Sequence, residues 1–300
     1  MIGSPVSKDK VIITCALTGV VANREQCPYL PYSPVEIAEE ARRAHQAGAA
    51  VVHIHGRHPE TGEQSWSTEI YQQIKEEVQK RCPVILNFST GGFNMGVQDE
   101  AEKHRRLEYV HQTRPEMAAL NMGSMNYAKY SQKRGTFVFD FVFMNPFGDM
   151  LLAAAAMRQG GVKPELECFD LGHLQNAAPL IAMGALKRPL QYSFVLGVLG
   201  GAPATSDTLA HMAKQVASDD TWEVIGISKV QWHLLATALV LGGNVRVGLE
   251  DNFYLDAAGT RMAEGNAPLV EKAVRMSRDV GREPMTVDEA RQALSLPQQW

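Results

Sequence analysis

The feature that most constrains this chain is an alternation of short, apolar, β-branched runs with longer stretches of helical period, repeated along most of its length. Strands are expected at residues 11–17, 49–55, 84–89, 117–122, 137–143, 166–170, 190–198, 224–227 and 245–249. Runs of this length, rich in Val, Ile, Leu and Phe, suit strands buried on both faces, and parallel strands need a long crossover that a helix supplies. Eight or nine β-α repeats fill about 240 residues with no linker rich in Pro, Gly or Ser. That points to a closed (β/α)8 barrel, a TIM barrel, more than to an open doubly wound sheet. The chain reads as a single barrel domain over residues 1–300. The run at 137–143 is one strand too many for eight, and it is assigned with its neighbours to an excursion after strand four.

Helix signals fall between the strands. Ser33-Pro34-Val35-Glu36 combines an N-cap serine, proline at the first helical position and a capping-box glutamate, predicting a helix that runs to Ala47 before Gly48 ends it. Ser206 and Asp207 open another through Val216. Residues 266–279 read as the closing helix. Residues 285–296 read as a C-terminal helical extension, opened by Thr286 with Glu289 at capping-box spacing, of the kind that often packs on a neighbouring subunit.

Composition removes several classes of function. At 45% hydrophobic and 21% charged, 300 residues can bury a large core, which excludes a disordered chain. The net charge of −4 comes from 29 basic and 33 acidic residues mixed along the sequence, with no Lys/Arg tract to follow a nucleic acid or an anionic membrane. Cys15, Cys27, Cys82 and Cys168 show no CxxC spacing and read as reduced, mostly buried thiols. Residues 1–10 are polar and lack a signal-peptide core, and the longest apolar stretch, 150–157, is far too short to span a bilayer. The expected compartment is the cytoplasm.

Chemistry concentrates at two strand ends. Side chains two apart on a strand share a face, so His53 and His55 in Val-Val-His-Ile-His-Gly-Arg project together at the end of the second strand. The opposite face carries Val52 and Ile54, and burying two unpartnered imidazoles is costly. The bland reading is a pair of satisfied core histidines; the sharper one is a metal site. Arg246 and Glu250 share a face of Val-Arg-Val-Gly-Leu-Glu-Asp, the last strand motif. In a closed barrel that strand pairs with the first, so Glu250 falls within reach of an ion held by His53 and His55. Two imidazoles and a carboxylate suit Zn²⁺ with an open position for a substrate oxygen. A salt-bridge cluster of Arg246, Glu250 and Asp251 at the barrel rim is the plainer alternative.

The glycine-bearing pieces say less. Asn87-Phe88-Ser89-Thr90-Gly91-Gly92 offers N–H groups and two hydroxyls to an anionic substrate, or is a plain strand-to-loop turn. Residues 197–202 would allow close approach of a large ligand such as a nucleotide thioester, but no helix opens from them, so no dinucleotide fingerprint is present. Neither a nucleophile elbow nor a P-loop occurs.

In this order and spacing the motifs resemble the β-keto acid cleavage enzyme family, best known for 3-keto-5-aminohexanoate cleavage. The likeness rests on Ile-Thr-Cys-Ala-Leu-Thr-Gly at 13–19, Pro-Tyr-Ser-Pro at 31–34, His53-Ile54-His55, Ser89-Thr90-Gly91-Gly92, Lys-Pro-Glu-Leu-Glu at 163–167 and Arg-Val-Gly-Leu-Glu-Asp at 246–251. The resemblance implies a zinc-bearing (β/α)8 barrel that exchanges a β-keto acid and acetyl-CoA for acetoacetate and a new CoA ester. It also implies a homo-oligomer, a tetramer in the family's usual form. Carried onto this sequence, His53, His55 and Glu250 hold Zn²⁺, Arg246 and Asp251 serve catalysis, and Ser89, with Thr90 and Gly91, meets the substrate. The family's fifth-strand glutamate corresponds to Glu167, with Glu165 competing for the role. Amine-handling members carry a carboxylate in the loop after the first strand, whereas here Thr18-Gly19 is followed by Val20-Val21, which favours a neutral or acidic substrate tail.

Two other readings compete. A zinc hydrolase or aldolase on the same barrel would ordinarily carry more histidines on later strands, and this chain offers only His173 after the fifth. A binding or assembly protein with a structural metal fits poorly with a three-ligand open set, because structural zinc is normally closed by four protein ligands. Consumption of acetyl-CoA separates all three.

Overall fold

Eight parallel strands close into a barrel: Ile13–Ala16, Val51–Ile54, Ile85–Phe88, Met117–Asn121, Lys163–Cys168, Gln191–Leu196, Thr221–Gly226 and Asn244–Val247. They follow one another around the barrel in chain order, and the eighth closes on the first with Val245 opposite Ile13 and Arg246 opposite Thr14. The protein is thus a (β/α)8 barrel. The structure is a computed structural model that describes residues 9–91 and 99–296. Gly92 of the third-strand turn and residues 1–8 of the polar N-terminal stretch lie outside the described residues.

The first helix, α1 (Pro34–Ala47), shows why local sequence suffices at such places. Ser33 caps it, the Glu36 side chain returns the bond to the Ser33 backbone, and Gly48 ends it in a left-handed conformation. Its buried stripe of Ile37, Ala38, Ala41 and Ala44 packs into the layer between strands and helices, where the main core sits. No described helix is long and apolar enough to cross a membrane. All four cysteines are free and buried.

The surplus run belongs to an antiparallel hairpin after strand four, Met125–Ser131 with Thr136–Phe143. Its second strand alternates: Phe139, Phe141 and Phe143 turn inward, while Val138, Asp140 and Val142 turn to solvent. The bridge from Ala128 to Leu199 lays the hairpin against the loop after the sixth strand, over the end of the barrel that carries the strand C-termini.

Several boundaries differ from the sequence reading. The fifth strand starts at Lys163 and the seventh at Thr221, earlier than expected, because charged or polar residues there face the barrel interior and break the apolar run. The eighth strand stops at Val247: Gly248 takes φ +140, and a Cβ there would meet the Ala16 carbonyl oxygen at 2.1 Å, so only glycine lets the chain turn past strand one. The helix at 206 is capped by Thr205 and ends at Ala213. The C-terminal extension forms its short helix, Val287–Ala293, with the expected Thr286–Glu289 capping box. It packs on this chain's own barrel, however: Met285, Val287, Ala290, Leu294 and Leu296 cluster with Ile12, Val51, Ile85 and Met117 and plug the end opposite the hairpin.

Candidate active site

At mid-height the barrel interior is polar. Ser193 donates to Glu165 at 2.6 Å and its hydroxyl oxygen lies 3.1 Å from Glu223, Thr14 donates to Glu223 at 2.8 Å, and Asn87 donates to Glu165. Burial and the neighbouring Glu165 push the Glu223 carboxyl well above the usual range, so it keeps its proton and bonds to Glu165. Glu165 is held low in spite of its burial, by Arg246 and by its hydrogen bonds with Glu223 and Ser193. Glu223 was invisible as a site-supporting residue in the sequence; the available signal was a single carboxylate inside the otherwise apolar Trp222-Glu223-Val224-Ile225.

Above this layer the two strand-end motifs meet. His53 Nε2 lies 3.6 Å and His55 Nε2 3.4 Å from Glu250 Oε1. The ligand-capable atoms of His53, His55 and Glu250 all fall within 4.8 Å of one another. Bonds of about 2.0–2.2 Å in a tetrahedron separate donors by roughly 3.3–3.6 Å, and both histidine–Glu250 separations have that spacing. Both ring nitrogens of His53 and Nδ1 of His55 are buried with no hydrogen-bond partner, the costly state that a metal relieves. Burial, with Arg246 nearby, drives His53 down to about 3, leaving the neutral imidazole that a ligand must be. Glu250 is held ionised against its burial chiefly by Arg246. A second trio, His53, Glu165 and Glu167, is also close, but it lies deeper, with Glu165 off the cavity wall, whereas His55 and Glu250 of the first trio both line the cavity.

Local structure fixes these groups. Thr18 Oγ1 donates to the His55 carbonyl at 3.0 Å and accepts from the His55 N–H at 2.8 Å, locking the ends of strands one and two together. Gly19 N donates to Glu250 Oε2 at 3.0 Å, and a Cβ at Gly19 would sit 2.8 Å from Glu250 Cγ, so the loop lies on the carboxylate. Arg57, buried and without a carboxylate partner among the described residues, donates to the carbonyls of Gly19 (2.8 Å), Gly62 (2.7 Å), Thr18 (2.9 Å) and Ala22 (2.8 Å). This arginine closes the His-x-His motif and pins the loop that flanks the site, a role that shows only once the loop is folded over it.

Arg246 organises the acids. It pairs with Asp251 through Nε–Oδ2 at 2.9 Å and Nη2–Oδ1 at 3.0 Å, with Glu250 Oε1 at 2.6 Å and with Glu167 Oε1 at 3.3 Å. Burial lowers its proton affinity, but Asp251 and Glu250 outweigh that and hold it charged. Burial raises Asp251 to about 6 against the pull of Arg246. Burial and Glu165 raise Glu167 to about 8.

These groups open onto a cavity of about 780 Å³ whose wall includes His55, Ser89, Gly91, Glu167, Arg246, Glu250 and Asp251. His53 lies beneath them. Thr90 is elsewhere: its hydroxyl is committed to the Ala119 carbonyl, and it lines a separate small pocket. Of the two fifth-strand glutamates, Glu167 reaches the cavity and Glu165 sits one layer deeper, opposite Gln191 in register while Glu167 faces Ser193. Asn121, at the end of strand four, also lines the cavity, with its buried Oδ1 unpartnered among the described residues. Strand-end position was the one signal that could have found it. Two carboxyls able to hold or take protons, one fixed cation and two of three groups that could hold a metal ion face a single chamber, with the third, His53, beneath them.

Known proteins resemble this chain in sequence and in fold. The sequence model for beta-keto acid cleavage enzymes matches residues 10–296. The 3-keto-5-aminohexanoate cleavage enzyme of Fusobacterium nucleatum subsp. nucleatum is 37% identical over 291 residues, spanning 96% of this chain and 98% of that protein. The 3,5-dioxohexanoate:acetyl-CoA acetone transferase of Paraburkholderia graminis is 33% identical, with 97% of each chain covered. Among solved structures, a binary complex of ObcA with oxaloacetate superposes with a TM-score of 0.70 at 22% identity, over 90% of this chain and 68% of that one, which shows a shared fold.

Proposed function

The chain belongs to the beta-keto acid cleavage enzyme family and is an acyl-transfer enzyme, and we propose that it condenses a β-keto acid with acetyl-CoA to give acetoacetate and a new acyl-CoA, with Zn²⁺ at His53, His55 and Glu250. The observation that carries this reading is the convergence of those three donors beside the Arg246–Asp251 pair, with His55, Glu250, Arg246 and Asp251 on one cavity wall and His53 beneath it. When bound, zinc supplies an electrophile for the keto acid's oxygens and so favours loss of the C2 proton.

The chain's own groups account for the remaining steps. Asp251, aimed by Arg246, takes the C2 proton. The resulting carbanion attacks the acetyl carbonyl and CoA leaves as the thiolate. The thiolate then adds to the original keto carbon, the C2–C3 bond breaks, and C2 recovers its proton from Asp251, releasing acetoacetate and the new thioester. Glu167 steadies the Arg246 guanidinium, and Ser89 with the Gly91 backbone lies where the substrate's anionic end can be met. The assembly belongs to the same reading as a homo-oligomer, a tetramer, whose subunits cover hairpin residues such as Phe137, Val138 and Val142, each about half exposed; sedimentation of the purified protein tests it.

The direct experiment screens β-keto acids with acetyl-CoA and follows acetoacetate. Acetoacetate formed only when acetyl-CoA is present supports the proposal. Cleavage that proceeds in water without acetyl-CoA overturns it in favour of a hydrolase or aldolase.

A further inference from the structure

Resting on that acyl-transfer reading, we propose that the keto acid's tail is an uncharged hydrocarbon chain, seated on an apolar wall built by strands five to seven and the hairpin. Phe169, Val195 and Ile225 form this wall at the reacting end: Ile225 pairs in register with Arg246, Val195 pairs with Ile225, and Phe169 follows Glu167 by two residues. With Met125 and Phe143 they make one buried cluster, separate from the main core. Phe143 packs edge-on against Phe169 at 5.8 Å, and Phe141, stacked on Tyr127 at 5.4 Å, extends the surface toward the mouth.

The charges of the cavity are distributed unevenly. Among its described lining residues, Glu167, Arg246, Glu250 and Asp251 are bound to one another at the reacting end, and Lys129 is the one further charge, exposed on the hairpin. A tail ending in a carboxylate or ammonium group meets no partner on this wall, and an unpaired charge in an apolar site is strongly disfavoured. A methylene buried there strengthens binding by roughly fourfold. The polar arm and phosphates of CoA need donors and cations that the wall lacks. The part of the wall in register with Arg246 also stands beside the reacting carbons, where the acid's own chain must go.

The test has two arms on the purified full chain. The first measures kcat/KM, at saturating acetyl-CoA, for 3-oxohexanoate, 3-oxooctanoate, 3-oxoadipate and 5-amino-3-oxohexanoate, in wild type and Phe141→Lys. The expected result is a rise of roughly threefold to fourfold per added methylene, with the charged tails at least about tenfold below the uncharged ones. Phe141→Lys should move the ratio toward 3-oxoadipate by about tenfold and leave the KM for acetyl-CoA little changed. A preference for a charged tail, a flat chain-length series, or a Phe141→Lys effect confined to the KM for acetyl-CoA overturns the proposal. The second arm titrates octanoate and adipate calorimetrically and needs no turnover. If no keto acid yields acetoacetate, the acyl-transfer reading falls, and this arm still decides the tail: octanoate binding above adipate supports the apolar wall, and adipate binding better, or neither binding, overturns it.

Discussion

Arg246 grips Asp251 at two points, Nε to Oδ2 at 2.9 Å and Nη2 to Oδ1 at 3.0 Å. Such a planar fork fixes the direction of a carboxylate as well as its charge. Asp251→Asn keeps the shape and removes the base. It should leave the metal bound and lower kcat by roughly 10²-fold or more, the usual scale for a positioned general base. Near-normal turnover in this variant would move the base elsewhere, with Glu167, also on the cavity wall, next in line.

The metal assignment is tested by content. A three-residue site stripped of one ligand should lose most of its affinity. His53→Ala, His55→Ala and Glu250→Gln are each expected to purify with far less zinc than wild type and to be inactive. Dialysis of wild type against a chelator should abolish activity, and added zinc should restore it. Full zinc content in all three variants would remove the site from these residues.

The α1 capping box offers a pH-dependent check on the fold. Burial raises Glu36, but the backbone N–H groups of Ser33 and Tyr32, the Ser33 hydroxyl and Arg24 outweigh it and hold the carboxyl at about 2. Its folded value lies below the ordinary 4.5, so its stabilisation is present above that value and is lost as pH falls toward 2. The side chain is 46% exposed, so screening limits the charge contribution. Glu36→Gln should cost about 1 kcal/mol at pH 7, the scale of a helix cap, and the gap in Tm between variant and wild type should shrink between roughly pH 5 and pH 2. A gap that is the same at pH 7 and pH 3 would show that the charge contributes nothing.

How much could be read in the sequence followed the range of the interactions. Ser33, Glu36, Gly48, Thr286 and Glu289 act within a few residues, and both capping boxes form where the residue types predict them. The barrel was legible because buried parallel strands are apolar on both faces. The same rule hid the first hairpin strand, in which Asn126, Lys129 and Tyr130 are exposed, and it shortened the fifth and seventh strands where Glu165 and Glu223 turn inward. At the site, His53 and His55 announced themselves by spacing, whereas their closeness to Glu250 depends on barrel closure and on the turn at Gly248. Asn121 and Arg57 carried no local signal, since the first matters by its height in the barrel and the second by a loop that folds over it from elsewhere in the chain.

The loop that Arg57 holds supplies the last prediction. Val20, Val21 and Ala22 line the cavity beside Gly19, which touches Glu250, and Val21 is 52% exposed at its edge. An ammonium group on the far end of a six-carbon keto acid finds no charge on this loop, and desolvating it without a partner costs several kcal/mol, or orders of magnitude in selectivity. An uncharged keto acid should therefore be cleaved with a higher kcat/KM than its 5-amino counterpart. Val21→Glu places a carboxylate at the cavity edge without disturbing a buried contact, and it should narrow or reverse that ratio by lowering KM for the amino substrate more than by changing kcat. A wild-type preference for the amino substrate would mean that a carboxylate other than residue 21 meets the ammonium group; an unchanged ratio in Val21→Glu would mean that the tail does not approach this loop.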